Sequence, residues 1–409
     1  MHKALDAILQ PSLESARPEF SAILPEEGIG EIKALELLAP LVIGHARRLN
    51  AETAFAHMDP PTPWVTWATS LWNAALNQNL LHPDVAPAAR DIEDLVVRWL
   101  APCFGMNGGH MTPGSTVANL TALWAAREIK GIRRVVSSTA SHLSVAKSAH
   151  ILGLDYLAVD TTGFGQIDRE QLPADLSDSA IVLTAGTTSA GALDDLTLTG
   201  NAAWKHVDAA WAGPLRLSSK HRGRLNGIDT ADSIAMSAHK WFFQPKESGL
   251  VLFRDSAAAH RAVSFGGAYL ASPNIGVMGS RSANAVPLFA TLLSWGRAGL
   301  EMRINGAMES AQMLFDYLDK QANVRLYGPN ASGVILWRTK DNTDVRDLID
   351  RLPEGSASTT TIGDLGWVRH VAANPTVNID ALQRAIGTAI SVRQPGHDQL
   401  LIRPSPSRR

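Results

Sequence analysis

The sequence predicts an α/β protein in which helices cover a mostly parallel sheet, with helices leading the chain and a small α+β domain closing it. Three observations carry this expectation. After Gly105, short β-rich runs alternate with helical stretches, the pattern of parallel strands joined by crossovers and covered on both faces. From about residue 28 to 104 the apolar spacing is helical throughout. From about residue 300 the two patterns mix again. A chain of 409 residues, 45% hydrophobic and 19% charged, can bury a core of that size and divide it between two domains.

The elements follow in order. "MHKALDAILQPSLESARPEF" reads as an amphipathic helix interrupted by Pro11, without the continuous apolar segment of a secretion signal. "IKALELLAPLVIGHARRLN", "WVTWATSLWNAALNQNL" and "ARDIEDLVVRWLAPCF" each place apolar residues three and four apart. "RRVVSS", "YLAVD", "AIVLTAG", "WKHVDAAW", "SIAMSA" and "GLVLFRD" are strand candidates, with a helix over Thr116 to Lys130 and another starting near Ser141. Two long helical patterns begin at Ala283, followed by "GVILWR", "VRDLIDRL", "WVRHVAA" and "IDALQRAIGTAISV". The last segment lacks periodicity and reads as a loose tail. The expected organisation is a helical segment over 1–50, a large domain over 51–298, a small domain over 299–395 and a tail over 396–409.

Composition narrows the function. A formal net charge of -2 with interspersed signs offers no field for nucleic acid or an anionic membrane. Cys103 is the only cysteine, so neither an intrachain disulfide nor a cysteine metal site can form, no metal is expected, and a cytoplasmic protein is the default. No uncharged apolar run reaches the length of a membrane span.

Four stretches bring chemistry into view. Gly114, Ser115 and Thr116 precede a helical run, where free backbone N–H groups, two hydroxyls and a helix dipole favour a phosphate; taken alone, the stretch reads first as an ordinary N-cap by Ser115 or Thr116. Asp208 ends a strand, where open α/β sheets bind ligands, or it caps a turn. His142 follows a strand at the start of a helix, as a capping residue or a functional one. Lys240, in "SAHKWFFQ", sits in an apolar setting that lysine rarely occupies unpaired. Either its stem is covered while the charged head reaches out to water, or burial lowers its pKa and makes a nucleophilic amine, as imine chemistry requires. An imine-forming lysine, an acid, a ring-stacking histidine and a phosphate cradle together hold pyridoxal phosphate.

On these residues the chain resembles the group II pyridoxal-phosphate-dependent amino-acid decarboxylases, which include the aromatic-amino-acid, glutamate and diaminobutyrate enzymes. Seven landmarks arrive in that family's order: "HPDVAPAARDIEDLVVRWL", "TPGSTVANLTAL", "SHLSVAKSA", "TAGTTSAGALDD", "HVDAAWAG", "SAHKW" and "GSRSANAVPLFATLLSWGRAGL". The resemblance implies the aspartate-aminotransferase-like fold (fold type I) with a central sheet of the seven-stranded type, a homodimer whose site lies at the subunit interface, and decarboxylation of an L-amino acid. It further implies that Lys240 forms the imine, that Asp208 keeps the pyridine nitrogen protonated, and that His142 and Ala210 cover the two ring faces. Gly114, Ser115, Thr116, His239 and Ser237 match positions around the phosphate, and Thr188 a position near the ring substituents. Arg281 resembles a position close to the site, often reached from the partner subunit.

The chain also departs from the family. Between Phe253 and Arg281 it is too compact for the long loop whose tyrosine is thought to protonate Cα in better-known members, and the surroundings of Tyr269 do not match that loop. The short format is closer to archaeal-type tyrosine and aspartate decarboxylases and to sphingosine-phosphate lyases. A carbon–carbon lyase or an aminotransferase is therefore the alternative, with a non-catalytic cofactor-binding protein behind it. Arg369 sits where related folds bind a carboxylate, or it pairs with an acid. His57 and Asp59 are candidates to contact a substrate side chain. Trp64, Trp67 and Trp72 share a helical spacing that reads as core packing or a dimer interface.

Overall fold

A computed structural model of the chain describes residues 2–9, 20, 22–267 and 274–391. Tyr269 and the expected tail over 396–409 lie outside the described residues. Two compact units emerge, one ending at Leu49 and one starting at Asn50. The first holds helices α1 (His2–Leu9) and α2 (Glu31–Gly44).

The second unit begins with α3 (Trp64–Leu76) and α4 (Pro87–Leu100), then alternates: β1 (Gly108–Thr112), α5 (Ser115–Lys130), β2 (Arg134–Ser138), α6 (Leu143–Ile151), β3 (Asp155–Val159), β4 (Ser179–Thr184), β5 (Trp204–Asp208), β6 (Ser233–Ser237) and β7 (Gly249–Phe253). These seven strands form one sheet in the order β1-β7-β6-β5-β4-β2-β3. β3, β2, β4, β5 and β6 pair in parallel, whereas β7 runs antiparallel to both β6 and β1. β1 therefore points the same way as the parallel set. The carboxyl ends of β1, β2, β4, β5 and β6 all reach one edge, so the loops carrying Ser115, His142, Thr188, Asp208 and Lys240 converge there. β4, β5, β6 and β7 are buried along their whole length, which explains why β4, β6 and β7 read as apolar runs rather than alternating ones, whereas β5 carries the buried polar residues Lys205, His206 and Asp208.

The chain continues through α7 (Ser256–Ala262), the short pair β8 (Ser264–Phe265) and β9 (Asn274–Ile275), and α8 (Ala285–Asp319). The two helical patterns expected after Ala283 are the two arms of α8, which breaks at Gly296 (φ 58°, ψ −173°). β10 (Val324–Tyr327), β11 (Val334–Thr339), α9 (Val345–Asp350), β12 (Ser358–Ile362), β13 (Leu365–Val371) and α10 (Ile379–Ser391) complete the chain. The last four strands form an antiparallel sheet in the order β10-β11-β13-β12.

A tryptophan pair ties this sheet to the strand ends. Trp211 and Trp241 lie with ring centroids 4.1 Å apart; Trp211 Nε1 donates to the Ser332 carbonyl and Trp241 Nε1 to the Ala372 carbonyl, both at 2.8 Å. Both indoles are fully buried with their polar tips satisfied, the condition under which large aromatics stabilise a core. The tryptophans of α3 behave differently. Trp64 is 73% exposed and Trp72 59%, so they do not pack into this chain's own core.

Candidate active site

Lys240 stands on a tight turn just past β6. The turn is closed by Phe243 N–H donating to the Lys240 carbonyl at 2.8 Å and Gln244 N–H to the Ala238 carbonyl at 3.1 Å. Phe243 takes the left-handed conformation (φ 61°), a cost of ~1–2 kcal/mol for a residue with a side chain, and Trp241, Phe242 and Phe243 are all buried. The apolar triplet that looks out of place in the sequence is the anchor of the turn. Lys240 itself is half-buried, and its amine has no hydrogen-bond partner among the described residues. Burial is the main cause that holds this amine below the ordinary lysine value, with the Asp208 carboxylate opposing it.

Asp208, at the end of β5, is buried and accepts from Ala210 N–H at 3.1 Å and from Asn119 Nδ2 at 2.9 Å. Its charge acts on His142 as well as Lys240, which brings the three groups into one site. His142 is the N-cap of α6, so the capping reading holds, and its Nδ1 accepts from Ser144 N–H at 3.2 Å. Its pKa is lowered chiefly by burial, against the pull of Asp208, which keeps the imidazole neutral near pH 7.

At the start of α5, Gly114 rather than Ser115 or Thr116 occupies the N-cap position, and no side chain caps the helix. Ser237 Oγ donates to Ser115 Oγ at 2.8 Å, while Thr116 stays exposed. Gly114 has φ 102°, and a Cβ there would stand 3.1 Å from His239 Cε1. Gly249 completes the close approach, since a Cβ on it would lie 2.7 Å from the Gly114 Cα. Among the described residues His239 Nδ1 is buried without a hydrogen-bond partner, and its pKa falls to about 4 through burial first and then the nearby Lys246 and Lys240 charges. Uncapped N–H groups at a helix start, a hydroxyl pair and an unpartnered imidazole nitrogen make a cradle for a phosphate. With a lysine amine, a buried acid and a histidine beside it, this donor set fits pyridoxal phosphate.

The opposite wall comes from β13. Arg369 is buried; its Nε donates to the Thr188 carbonyl and its Nη1 to the Ala56 carbonyl, both at 3.1 Å. Thr188 itself is exposed. Burial lowers the Arg369 pKa to about 10, with Asp59 opposing, so the guanidinium stays charged at neutral pH. It pairs with carbonyl oxygens rather than with an acid. Asp59 forms an ion pair with Lys246 and acts on Lys240 too. His57 is exposed.

Arg281 lies elsewhere. Its guanidinium forms a two-pronged ion pair with the buried Glu93 of α4, with Nη2 to Oε1 at 2.9 Å. Both line a cavity of about 160 Å³ with His110 and His260 that includes neither Lys240 nor Asp208. Glu93 was the legible signal for this pair, since it is the one charge on the buried face of α4 formed by Ala89, Val96, Val97 and Leu100. Asn119 and Ser144 are further residues that the sequence alone does not single out. Asn119 reads as one polar residue in a helix, although it sits among the buried Ala118, Thr121 and Ala122.

Comparison with known proteins gives the family and the fold. The pyridoxal-dependent decarboxylase conserved domain matches residues 38–340. The chain is similar to L-2,4-diaminobutyrate decarboxylase of Rhizobium meliloti (strain 1021), 31% identical over 349 residues that cover 77% of this chain and 70% of that protein. Among solved structures it superposes on the glutamate decarboxylase domain of diaminobutyrate-pyruvate transaminase and L-2,4-diaminobutyrate decarboxylase from Vibrio parahaemolyticus (TM-score 0.79, 24% identity, covering 96% of this chain and 94% of that one). It also superposes on Oryza sativa TDC with PLP and tryptamine (TM-score 0.82, 20% identity, covering 95% and 94%). The fold is therefore the aspartate-aminotransferase-like, fold type I architecture expected above, and the chain belongs to the pyridoxal-dependent decarboxylase family.

Proposed function

We propose that this chain decarboxylates an L-amino acid to the corresponding amine and CO2, with Lys240 as the residue that holds pyridoxal phosphate covalently. The observation that carries the reading is the convergence of the Lys240 amine, held below its ordinary pKa mainly by burial, the Asp208 carboxylate and the His239 nitrogen, unpartnered among the described residues, at one sheet edge. When bound, the cofactor supplies an electron sink for the pair released as the bond from Cα to the carboxylate breaks. Ser115, Thr116, Ser237 and His239 would receive its phosphate at the start of α5. Asp208 would hold the proton on the ring nitrogen, as an ionised partner favours the charged form. His142 and Ala210 would cover the ring faces and exclude water from them.

Arg369 is suited to orient the substrate carboxylate. Its tethering to two carbonyl oxygens leaves a charge that attracts the carboxylate without a full bidentate clamp, which suits a group that must depart. Asp59 acts on both Lys240 and Arg369, but its charge is already paired with Lys246, so the substrate side chain is left to the screen below.

The exposed face of α3, with Trp64, Trp67, Leu71, Trp72 and Leu76, supports a homodimer with the site near the subunit boundary, because aromatic patches of this kind mark interfaces. A cytoplasmic setting fits a chain with one cysteine, and no helix among the described residues is long and apolar enough to cross a membrane.

The test is a screen of the common amino acids with diaminobutyrate, ornithine and cysteine sulfinate, following CO2, amine, keto acid and aldehyde together. Equal release of CO2 and amine from one substrate supports decarboxylation. Keto acid or aldehyde as the main product would move the chain to the transaminase or lyase reading.

A further inference from the structure

Beneath the site runs a continuous chain of buried hydrogen bonds in which every hydrogen has one place to go. Asn119 is its hub. Its side chain is fully buried; Nδ2 lies 2.9 Å from Asp208 Oδ2 and 2.9 Å from Ser144 Oγ, and Oδ1 lies 2.9 Å from His206 Nε2. A carboxylate accepts only, so the amide nitrogen must face Asp208 and the amide oxygen must face His206. His206 Nε2 is then the donor, which leaves Nδ1 to accept from Ser233 Oγ at 2.8 Å. Ser233 Oγ in turn accepts from Trp204 Nε1 at 2.8 Å. This arrangement needs a neutral His206, and burial lowers its pKa to about 4.

The other arm is equally constrained. His142 Nδ1 faces the Ser144 N–H at 3.2 Å and so cannot carry a proton. Ser144 Oγ, which accepts from Asn119, therefore donates its own hydrogen to that nitrogen at 2.8 Å. The single proton of neutral His142 therefore sits on Nε2.

We propose that Asn119 is a positioning residue that sets two properties of the site at once, the orientation of the Asp208 carboxylate and, through the Ser144 hydroxyl, the second hydrogen bond that holds the His142 ring by its Nδ1. This inference rests on the cofactor reading above for its consequence but not for its geometry. With Asn119 on Oδ2 and Ala210 N–H on Oδ1, the Asp208 carboxylate is held in one orientation, and its remaining lone pairs would be those available to a ring nitrogen. With Nδ1 bare, the His142 proton is on Nε2, the nitrogen away from Ser144. A polar residue at the centre of α5 costs core packing, and a fully satisfied network is the condition under which such a residue specifies a single arrangement.

Two measurements test it, one without cofactor. In the apo chain labelled with 15N-histidine, two-bond nitrogen–proton correlation reads each tautomer, with His142 assigned by its loss in His142→Gln. The expected result is an unprotonated Nδ1 in the parent and, in Ser144→Ala, where the backbone N–H still faces that nitrogen, the same tautomer with the Nδ1 resonance moved by loss of the hydroxyl donor. A protonated Nδ1 in the parent, or an unmoved Nδ1 resonance in Ser144→Ala, overturns the network.

The second measurement is the affinity for pyridoxal phosphate and the pH titration of its bound absorbance in Asn119→Asp. This change keeps the shape but sets two carboxylates side by side, where one must keep a proton. Affinity should fall about tenfold or more, and the absorbance titration should move with it. Asn119→Asp that folds and binds with the parent's affinity and titration overturns the proposal; if it does not fold, the same two readouts in Ser144→Ala and Asn119→Ser decide. A parent that binds no pyridoxal phosphate would defeat the cofactor reading alone, because the tautomer result stands apart from it.

Discussion

Gly114→Ala isolates the phosphate cradle from the rest of the site. The residue adopts φ 102° and ψ 169°, a region open essentially to glycine, where another residue stores ~1–3 kcal/mol of strain. The added methyl would also stand 3.1 Å from His239 Cε1 and push that ring off the place where its free Nδ1 waits. The strain is confined to one peptide between β1 and α5. Without cofactor the chain can relieve it by letting the first turn of α5 rotate, since no side chain caps that turn. Binding a phosphate restores the strained geometry, so the same ~1–3 kcal/mol returns as ~5- to 150-fold weaker affinity. Absorbance titration of the apo chain with pyridoxal phosphate measures this, and thermal unfolding of the apo chain shows how much strain stays there. A Gly114→Ala chain that binds the cofactor as tightly as the parent refutes the cradle.

Other outcomes follow from the same account. Asp208→Ala should abolish most turnover while the fold survives, seen as lost CO2 release with unchanged circular dichroism; an active variant removes Asp208 from the site. Glu93→Gln should destabilise the chain by ~3 kcal/mol, because it strands the Arg281 guanidinium in a buried pair, read as a lower urea midpoint. Unfolding stability should decline as pH falls from 6.5 towards 4. His110, His206, His239 and His370 are held neutral by burial, with pKa values of about 3, 4, 4 and 4, so the unfolded chain binds more protons than the folded one in that window. Asp194, raised to about 6 by burial, works in the opposite sense, and its single proton does not offset four histidines. A flat urea midpoint from pH 6.5 to 4.5 contradicts this. Trp64→Ser with Trp72→Ser should shift a dimer towards monomer in sedimentation, and an unchanged dimer would free α3 from that role.

Much of the fold was legible because its strands are apolar and its helices periodic. β2 to β7 and α3 to α6 announce themselves by side-chain pattern. β1 does not, since "GGHMT" is glycine-rich and looks like part of the turn before α5; only its pairing with β7 makes it a strand. β12, "STTTI", is likewise hidden, because threonine alternation in a half-exposed strand resembles a polar loop. The site was legible wherever a residue is unusual for its surroundings, as Lys240 is among Trp241, Phe242 and Phe243. Asn119 and Ser144 are ordinary helix residues by sequence, and their roles exist only in the distances between α5, α6 and β5. Arg281 shows the reverse. Its motif suggested a place at the site, whereas within this chain its charge is committed to Glu93.

The central claim is that one particular lysine carries the cofactor. Borohydride reduction of the pyridoxal-phosphate-loaded protein, followed by peptide mass mapping, reads that lysine directly. The account predicts the reduced cofactor on Lys240 alone and its disappearance in Lys240→Ala. A label on Lys246, which pairs with Asp59 at the mouth, or on the buried Lys205 of β5, would contradict it.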